Sequence, residues 1–207
     1  VRSLQPHGPY RLGGWCVGGL FAYEMTRQLR AAGEEVELLV LIDCHAVTGE
    51  GEAIDDAVLM SSLVVELSAM LGKALRLPPA ELRGLNDEER LARVLLLARE
   101  HQVLPPSFAP EQLRRHWEVF RTNVRSVESY RLGRSAVRTL LFCAASQPAT
   151  AAHLSSALDW DRWIEGALEV REVPGDHYSL LRPPAVQQLA QEIAARLTQP
   201  AVALTAR

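Results

Sequence analysis

Two hydrophobic periods alternate along the first part of the chain. Residues 10–15 (YRLGGW) predict a short strand running into a turn. From residue 18 the spacing lengthens. Phe21, Met25, Leu29 and Ala32 line one face of a helix predicted over 18–32. Gly33 supplies its left-handed stop. Residues 35–42 (EVELLVLI) are a near-continuous apolar run, as expected of a strand buried on both faces in a parallel sheet. Strand, helix and strand make one βαβ unit.

Residues 53–131 change character. Three helical stretches follow one another, over 55–72, 87–102 and 110–131, punctuated by Pro78-Pro79 and Pro105-Pro106. Their apolar stripes are Leu59, Leu63, Leu67 and Met70, then Leu91, Val94, Leu95 and Ala98, then Trp117, Phe120, Val124 and Val127. Core packing among the helices is the favoured reading of these stripes; lining a ligand chamber is the other. Strand character returns at 137–144 (VRTLLFCA) and 168–173 (LEVREV), with a helical turn expected over 160–166 and a helix over 183–197. The expected organisation is α/β with a mostly parallel sheet. A core segment occupies 1–52, a helical insertion 53–131, a second core segment 132–198 and a tail 199–207. A helical block between two strands can cap the strand ends, where such sheets bind ligands.

Composition narrows the function classes. The 207 residues carry a net charge of -3, so no basic field points to nucleic acid or an anionic membrane. No apolar run reaches the roughly 18–20 residues of a membrane-spanning helix. The three cysteines, Cys16, Cys44 and Cys143, follow neither disulfide nor zinc spacing. A reducing, cytoplasmic setting and no metal are expected. In such a setting a cysteine in a special local sequence is a candidate nucleophile.

Cys16 has that local sequence. Gly14-Trp15-Cys16-Val17-Gly18-Gly19 follows a strand and opens a helix, the context of a G-x-S-x-G nucleophile elbow with Cys at the Ser place. Small residues are expected at Gly14 and Gly18, where side chains would meet neighbouring backbone. A helix N-terminus and an adjacent imidazolium both favour a thiolate, but the helix alone is too weak an activator and a base is still needed. The N–H of Val17, the residue after the nucleophile, is the expected oxyanion donor.

Elbow enzymes run in the order nucleophile, acid, base. His177 lies in Pro174-Gly175-Asp176-His177-Tyr178, between the last strand and the last helix, and is the favoured base. His45 is a weaker rival; His7, His101, His116 and His153 fit worse. For the acid, the strand ending Phe142-Cys143-Ala144-Ala145-Ser146-Gln147-Pro148 offers no carboxylate, whereas the earlier strand ends directly in Asp43. Asp43 is therefore favoured over Asp159, Asp161 and Asp176. Cys44 and Cys143 read as core residues. Arg114, Arg115, Arg121 and Arg125 read as a solvated helix face, with contact to an acidic partner domain as the sharper alternative.

Residues 8–43, GPYRLGGWCVGGLFAYEMTRQLRAAGEEVELLVLID, and the closing PGDHYSLLRPPAVQQLAQEIAARL resemble the type I thioesterase domains that end nonribosomal peptide and polyketide synthases. The resemblance implies an α/β-hydrolase fold in which the helical insertion is a lid. It implies that Cys16 takes an acyl chain from the phosphopantetheine arm of an upstream carrier domain, with His177 as base and Asp43 orienting it, and with no directly bound cofactor. Most members have Ser where this chain has Cys16. A Cys acyl-enzyme remains a thioester and keeps the reactivity an oxoester loses. In the family, Cys-type domains are associated with β-lactam and β-lactone release, so cyclisation is expected beside hydrolysis. The family also has strands before the GPY segment, with a second oxyanion donor; these are expected to be missing here. The other readings are an editing thioesterase that clears stalled acyl groups from carriers, and a non-catalytic docking module.

Overall fold

The computed structural model describes residues 1–47, 53–147 and 155–198. Two compact units are present, one of Val1–Val47 with Leu132–Arg207 and one of Thr48–Arg131.

The first unit is built on four strands, β1 (Tyr10–Trp15), β2 (Val36–Ile42), β3 (Thr139–Ala144) and β4 (Leu168–Val173). They pair in chain order and every pairing is parallel. Parallel neighbours need a crossover, and β1 and β2 are joined by α1 (Val17–Ala31), which packs along both. β3 is buried at every position, which is why its run lacks alternation. Leu38, Val40, Leu140 and Phe142 point to one face and pack with Leu180, Ala185 and Leu189, the last two from α5 (Ala185–Leu197). The alternate residues Leu39, Leu41 and Leu141 are wholly buried on the other face. The helical turn expected after residue 160 is a short 3-10 turn, Trp160–Arg162. At the start, Gln5 N–H donates to Val1 O at 3.0 Å, closing a single turn.

The face expected of α1 is corrected. Phe21 and Met25 are 40% and 38% exposed, and Ala32 is exposed. The buried face runs through Gly19, Leu20, Ala22, Tyr23, Thr26 and Leu29. Small size and hydrogen bonding outrank hydrophobicity there. Thr26 satisfies its hydroxyl on Ala22 O at 2.9 Å, and the Tyr23 hydroxyl lies within hydrogen-bonding range of Gly133 O (2.6 Å) and Trp163 O (3.1 Å).

The second unit contains α2 (Asp56–Met70), α3 (Asp87–Glu100) and α4 (Pro110–Ser129). Each start has a local cause. The Asp55 carboxylate accepts from Ala57 N–H, Asn86 and Glu89 form a reciprocal capping box, and Pro110 opens α4 where its missing N–H costs nothing. The core contains Leu59, Met60, Leu63, Leu91, Val94, Leu95, Leu113 and Trp117, with Leu67, Phe120 and Val124 packed at its margin. Met70 departs from the expected stripe and is 51% exposed, because the buried arc of α2 passes through Met60, Val64 and Ser68 instead. Arg114 pairs with Glu88, Arg121 with Asp56 and Asp87, and Arg125 with Asp56 and Glu128. These arginines knit the unit together. No helix among the described residues is long and apolar enough to cross a membrane.

Candidate active site

Cys16 sits between the last residue of β1 and the first of α1, at φ 53° and ψ -133°. A non-glycine residue at positive φ is strained, and the surrounding bonds hold it there. Cys16 N–H donates to Ile42 O, and Cys16 O accepts from Gly19 N–H, each at 3.0 Å. The turn demands glycine at Gly14, where a Cβ would overlap the Gly18 carbonyl and approach Gly19 N to 2.5 Å. The expectation at Gly18 is corrected. Outside its own helix a Cβ there meets nothing within 4 Å, because Gly18 gives the turn its backbone and not its open side. The tight position is Gly19, where a Cβ would lie 2.6 Å from Cys44 Sγ. Cys44 is a core residue whose thiol is pushed up by burial, and burial likewise pushes Cys143 up to about 12. Cys16 is half-buried and keeps contact with solvent. Val17 is the first residue of α1, where backbone N–H groups lack helical partners.

Asp43 follows β2 at φ 42° and is 2% exposed. Its carboxylate is fully engaged. Oδ1 accepts from Ala144 N–H and from Gln147 Nε2, each at 2.8 Å. Oδ2 lies 2.6 Å from His177 Nδ1. Burial alone would push this carboxyl up, but the bonds from His177, Ala144 and Gln147 outweigh it and hold it below its ordinary value.

His177 is carried on the loop after β4. The loop is tied to the end of β3 by Ala145 N–H to Val173 O (2.8 Å) and Ser146 N–H to Gly175 O (2.9 Å). Gly175, at φ 106°, permits the turn. Asp176 caps the next turn by accepting from Tyr178 N–H (2.9 Å) and Ser179 N–H (2.8 Å). Burial pushes the His177 ring down, but hydrogen bonding to Asp43 and to Cys16, with their charges, lifts it from 6.5 to about 9. The structure thus brings Cys16, Asp43 and His177 together in one unit. Of the rival acids, Asp176 is spent on its own loop and Asp161 accepts the Ser155 hydroxyl at 2.8 Å, while Asp159 accepts Ser155 N–H at 3.3 Å. His45, the rival base, is pushed down by burial and hydrogen-bonds Gln147. His153 lies outside the described residues.

Two contributors escaped the sequence reading. Gln147 lies in the stretch after β3 that carries no carboxylate; its amide N–H groups bridge Asp43 and Ala144 O. Trp15, next to Cys16, contacts His177 across 162 positions. Among the described residues no group of three or more His, Cys, Asp or Glu is placed to hold a metal ion.

Residues 1–197 match the thioesterase domain family. The chain belongs to that family. The fold of this thioesterase domain is of the α/β-hydrolase type, as its solved neighbours are. It is 32% identical over 209 residues to the non-reducing polyketide synthase atnG of an Arthrinium species, covering 96% of this chain but 10% of that synthase. It superposes on a four-domain nonribosomal peptide synthetase, solved in its holo form with AMP and glycine, at TM-score 0.84 and 34% identity, over 96% of this chain and 15% of that one. The thioesterase domain NocB, solved as a covalent complex with a fluorophosphonate nocardicin G analog, matches at TM-score 0.59 and 26% identity, over 95% of this chain and 69% of that one. The thioesterase domain thus spans a small part of the length of the synthases it resembles.

Proposed function

We propose that this thioesterase domain releases an acyl or peptidyl chain from the phosphopantetheine thioester of an upstream carrier domain, through a covalent intermediate on Cys16. The observation that carries the reading is the 2.6 Å contact of His177 Nδ1 with a buried, threefold-bonded Asp43. It leaves the rest of the ring to Cys16, whose side chain hydrogen-bonds it. His177 takes the proton of the Cys16 thiol as its sulfur attacks the carrier thioester carbonyl. The oxyanion that forms is met by Val17 N–H at the start of α1. Collapse breaks the carbon–sulfur bond to pantetheine, and the departing thiolate takes the proton from His177. In the second step neutral His177 accepts a proton from an amine or hydroxyl of the acyl chain, or from water, as it attacks the Cys16 thioester. The products are a ring or an acid, and Cys16 is regenerated. Thioesters favour amines over water relative to oxoesters, which supports cyclisation, including closure of a strained β-lactam or β-lactone. The likeness to parts of polyketide and nonribosomal peptide synthases supports the partner.

The test is intact-protein mass spectrometry with an N-acetylcysteamine thioester. A transient acyl adduct is expected on the domain and none on Cys16→Ala, with the released product read for loss of water relative to the linear acid. An adduct that persists in Cys16→Ala would overturn the nucleophile, and linear acid as sole product would overturn cyclisation.

A further inference from the structure

One hydrogen bond fixes a point on a ring, not its plane. Asp43 holds His177 at Nδ1 only, and the His177 side chain is 26% exposed on a loop. A tilt of the ring at that contact would break its other hydrogen bond, the one to Cys16. Trp15 opposes it in two independent ways. Its indole N–H donates to the His177 carbonyl oxygen at 3.1 Å, which anchors the loop. Its ring stacks on the imidazole, with centroids 4.8 Å apart and planes at 27°, which sets the ring plane. Tyr178 closes the remaining side edge-on, 5.1 Å from the imidazole and 6.1 Å from the indole. Trp15 is also the residue before Cys16, so its backbone moves with the nucleophile.

We propose that Trp15 is a positioning residue that locks the loop and ring plane of His177 to the strand end bearing Cys16. The inference rests on the reading of Cys16 as nucleophile and His177 as base. A role as mere apolar filler would be met as well by leucine, since Trp15 packs at the margin of the core that contains Leu38, Val40 and Phe142. Fixing a reacting group within a fraction of an ångström is worth far more to turnover than to substrate binding.

The experiment compares the wild-type domain with Trp15→Phe, Trp15→Leu, His177→Ala and the Trp15→Leu/His177→Ala double variant, on an N-acetylcysteamine thioester. Trp15→Leu is expected to lower kcat by about 10- to 100-fold with KM within about twofold. Trp15→Phe keeps a ring but no donor, and is expected to recover most of that loss, remaining about three- to tenfold down. In the His177→Ala background Trp15→Leu should cost nothing more. A second readout is independent of turnover. The proton shared by His177 Nδ1 and Asp43 should give a low-field NMR resonance that is sharp in the wild type, broadened in Trp15→Phe and lost in His177→Ala. A wild-type kcat in Trp15→Leu, or an equal loss with and without His177, overturns the proposal. If Trp15→Leu fails to fold, a sharp resonance and unchanged kcat in Trp15→Phe overturn it. Full activity in His177→Ala strikes instead at the reading of the base.

Discussion

Asp43 accepts bonds from Ala144, Gln147 and His177 and is nearly without solvent, so each donor replaces a water the carboxylate has lost. Removing one leaves a buried charge short of a partner, and such bonds are worth more than neutral ones. Gln147→Ala is expected to lower kcat roughly tenfold, about 1.4 kcal/mol, with KM little changed, in steady-state assays. Titration gives a second test. His177 is lifted from 6.5 to about 9, so its contribution to stability is whole below about 6.5 and is lost as pH rises through about 9. Asp43 is held down, so its contribution is present above its ordinary value of 3.8 and is lost as pH falls through its folded value. In urea denaturation the stability advantage of the wild type over His177→Ala should therefore be larger at pH 6 than at pH 10. An advantage that grows with pH would contradict the ion pair. The residues of this network differ in how far the chain announced them. Cys16 stood out because an elbow leaves glycines beside it, and Asp43 because it ends a buried strand. Gln147 and Trp15 act through contacts 104 and 162 positions long, which no local period encodes.

The elbow turns on one peptide passing close to one glycine. Gly14→Ala would drive a methyl group into the Gly18 carbonyl, and Gly19→Ala would meet Cys44, whereas Gly18→Ala has open space. Circular-dichroism melts should show Gly14→Ala destabilised by several kcal/mol, at or beyond the about 1–3 kcal/mol typical of overpacking. Gly18→Ala should be neutral or stabilised by up to about 1 kcal/mol. Equal losses at the two glycines would contradict the turn geometry. Elements with a strong period were legible almost to their ends: β1 and β4 coincide with the expected spans, and β2, α3 and α4 differ by a residue or two. Faces were less legible than elements. On α1 Phe21, Met25 and Ala32 of the expected stripe point outward while Thr26 points inward beside Leu29, because close approach of the helix rewards small and hydrogen-bonded residues.

At the scale of the molecule, the chain leaves the sheet after β2 and resumes it at β3, so the second unit must be spanned before the parallel pairing continues. Long-range ties secure the resumed chain. The Tyr23 hydroxyl of α1 reaches Gly133 O and Trp163 O, and Trp160 Nε1–H donates to Cys44 O at 2.6 Å. Tyr23→Phe removes the donor to two carbonyls and should cost about 1–3 kcal/mol by chemical denaturation. A change within about 0.5 kcal/mol would show that the phenol tie is not needed. The order of strands carries a last consequence. His177 leaves the outermost strand, β4, yet its ring arrives over the tip of β2, so its loop must bridge the tip of β3. What it crosses there is Ala144-Ala145-Ser146, a low saddle of small side chains strung with two backbone bonds to the loop above. Those two bonds fasten the loop that carries His177 to the tip of β3, so the place of the imidazole over β2 depends on a strand to which neither it nor Asp43 belongs.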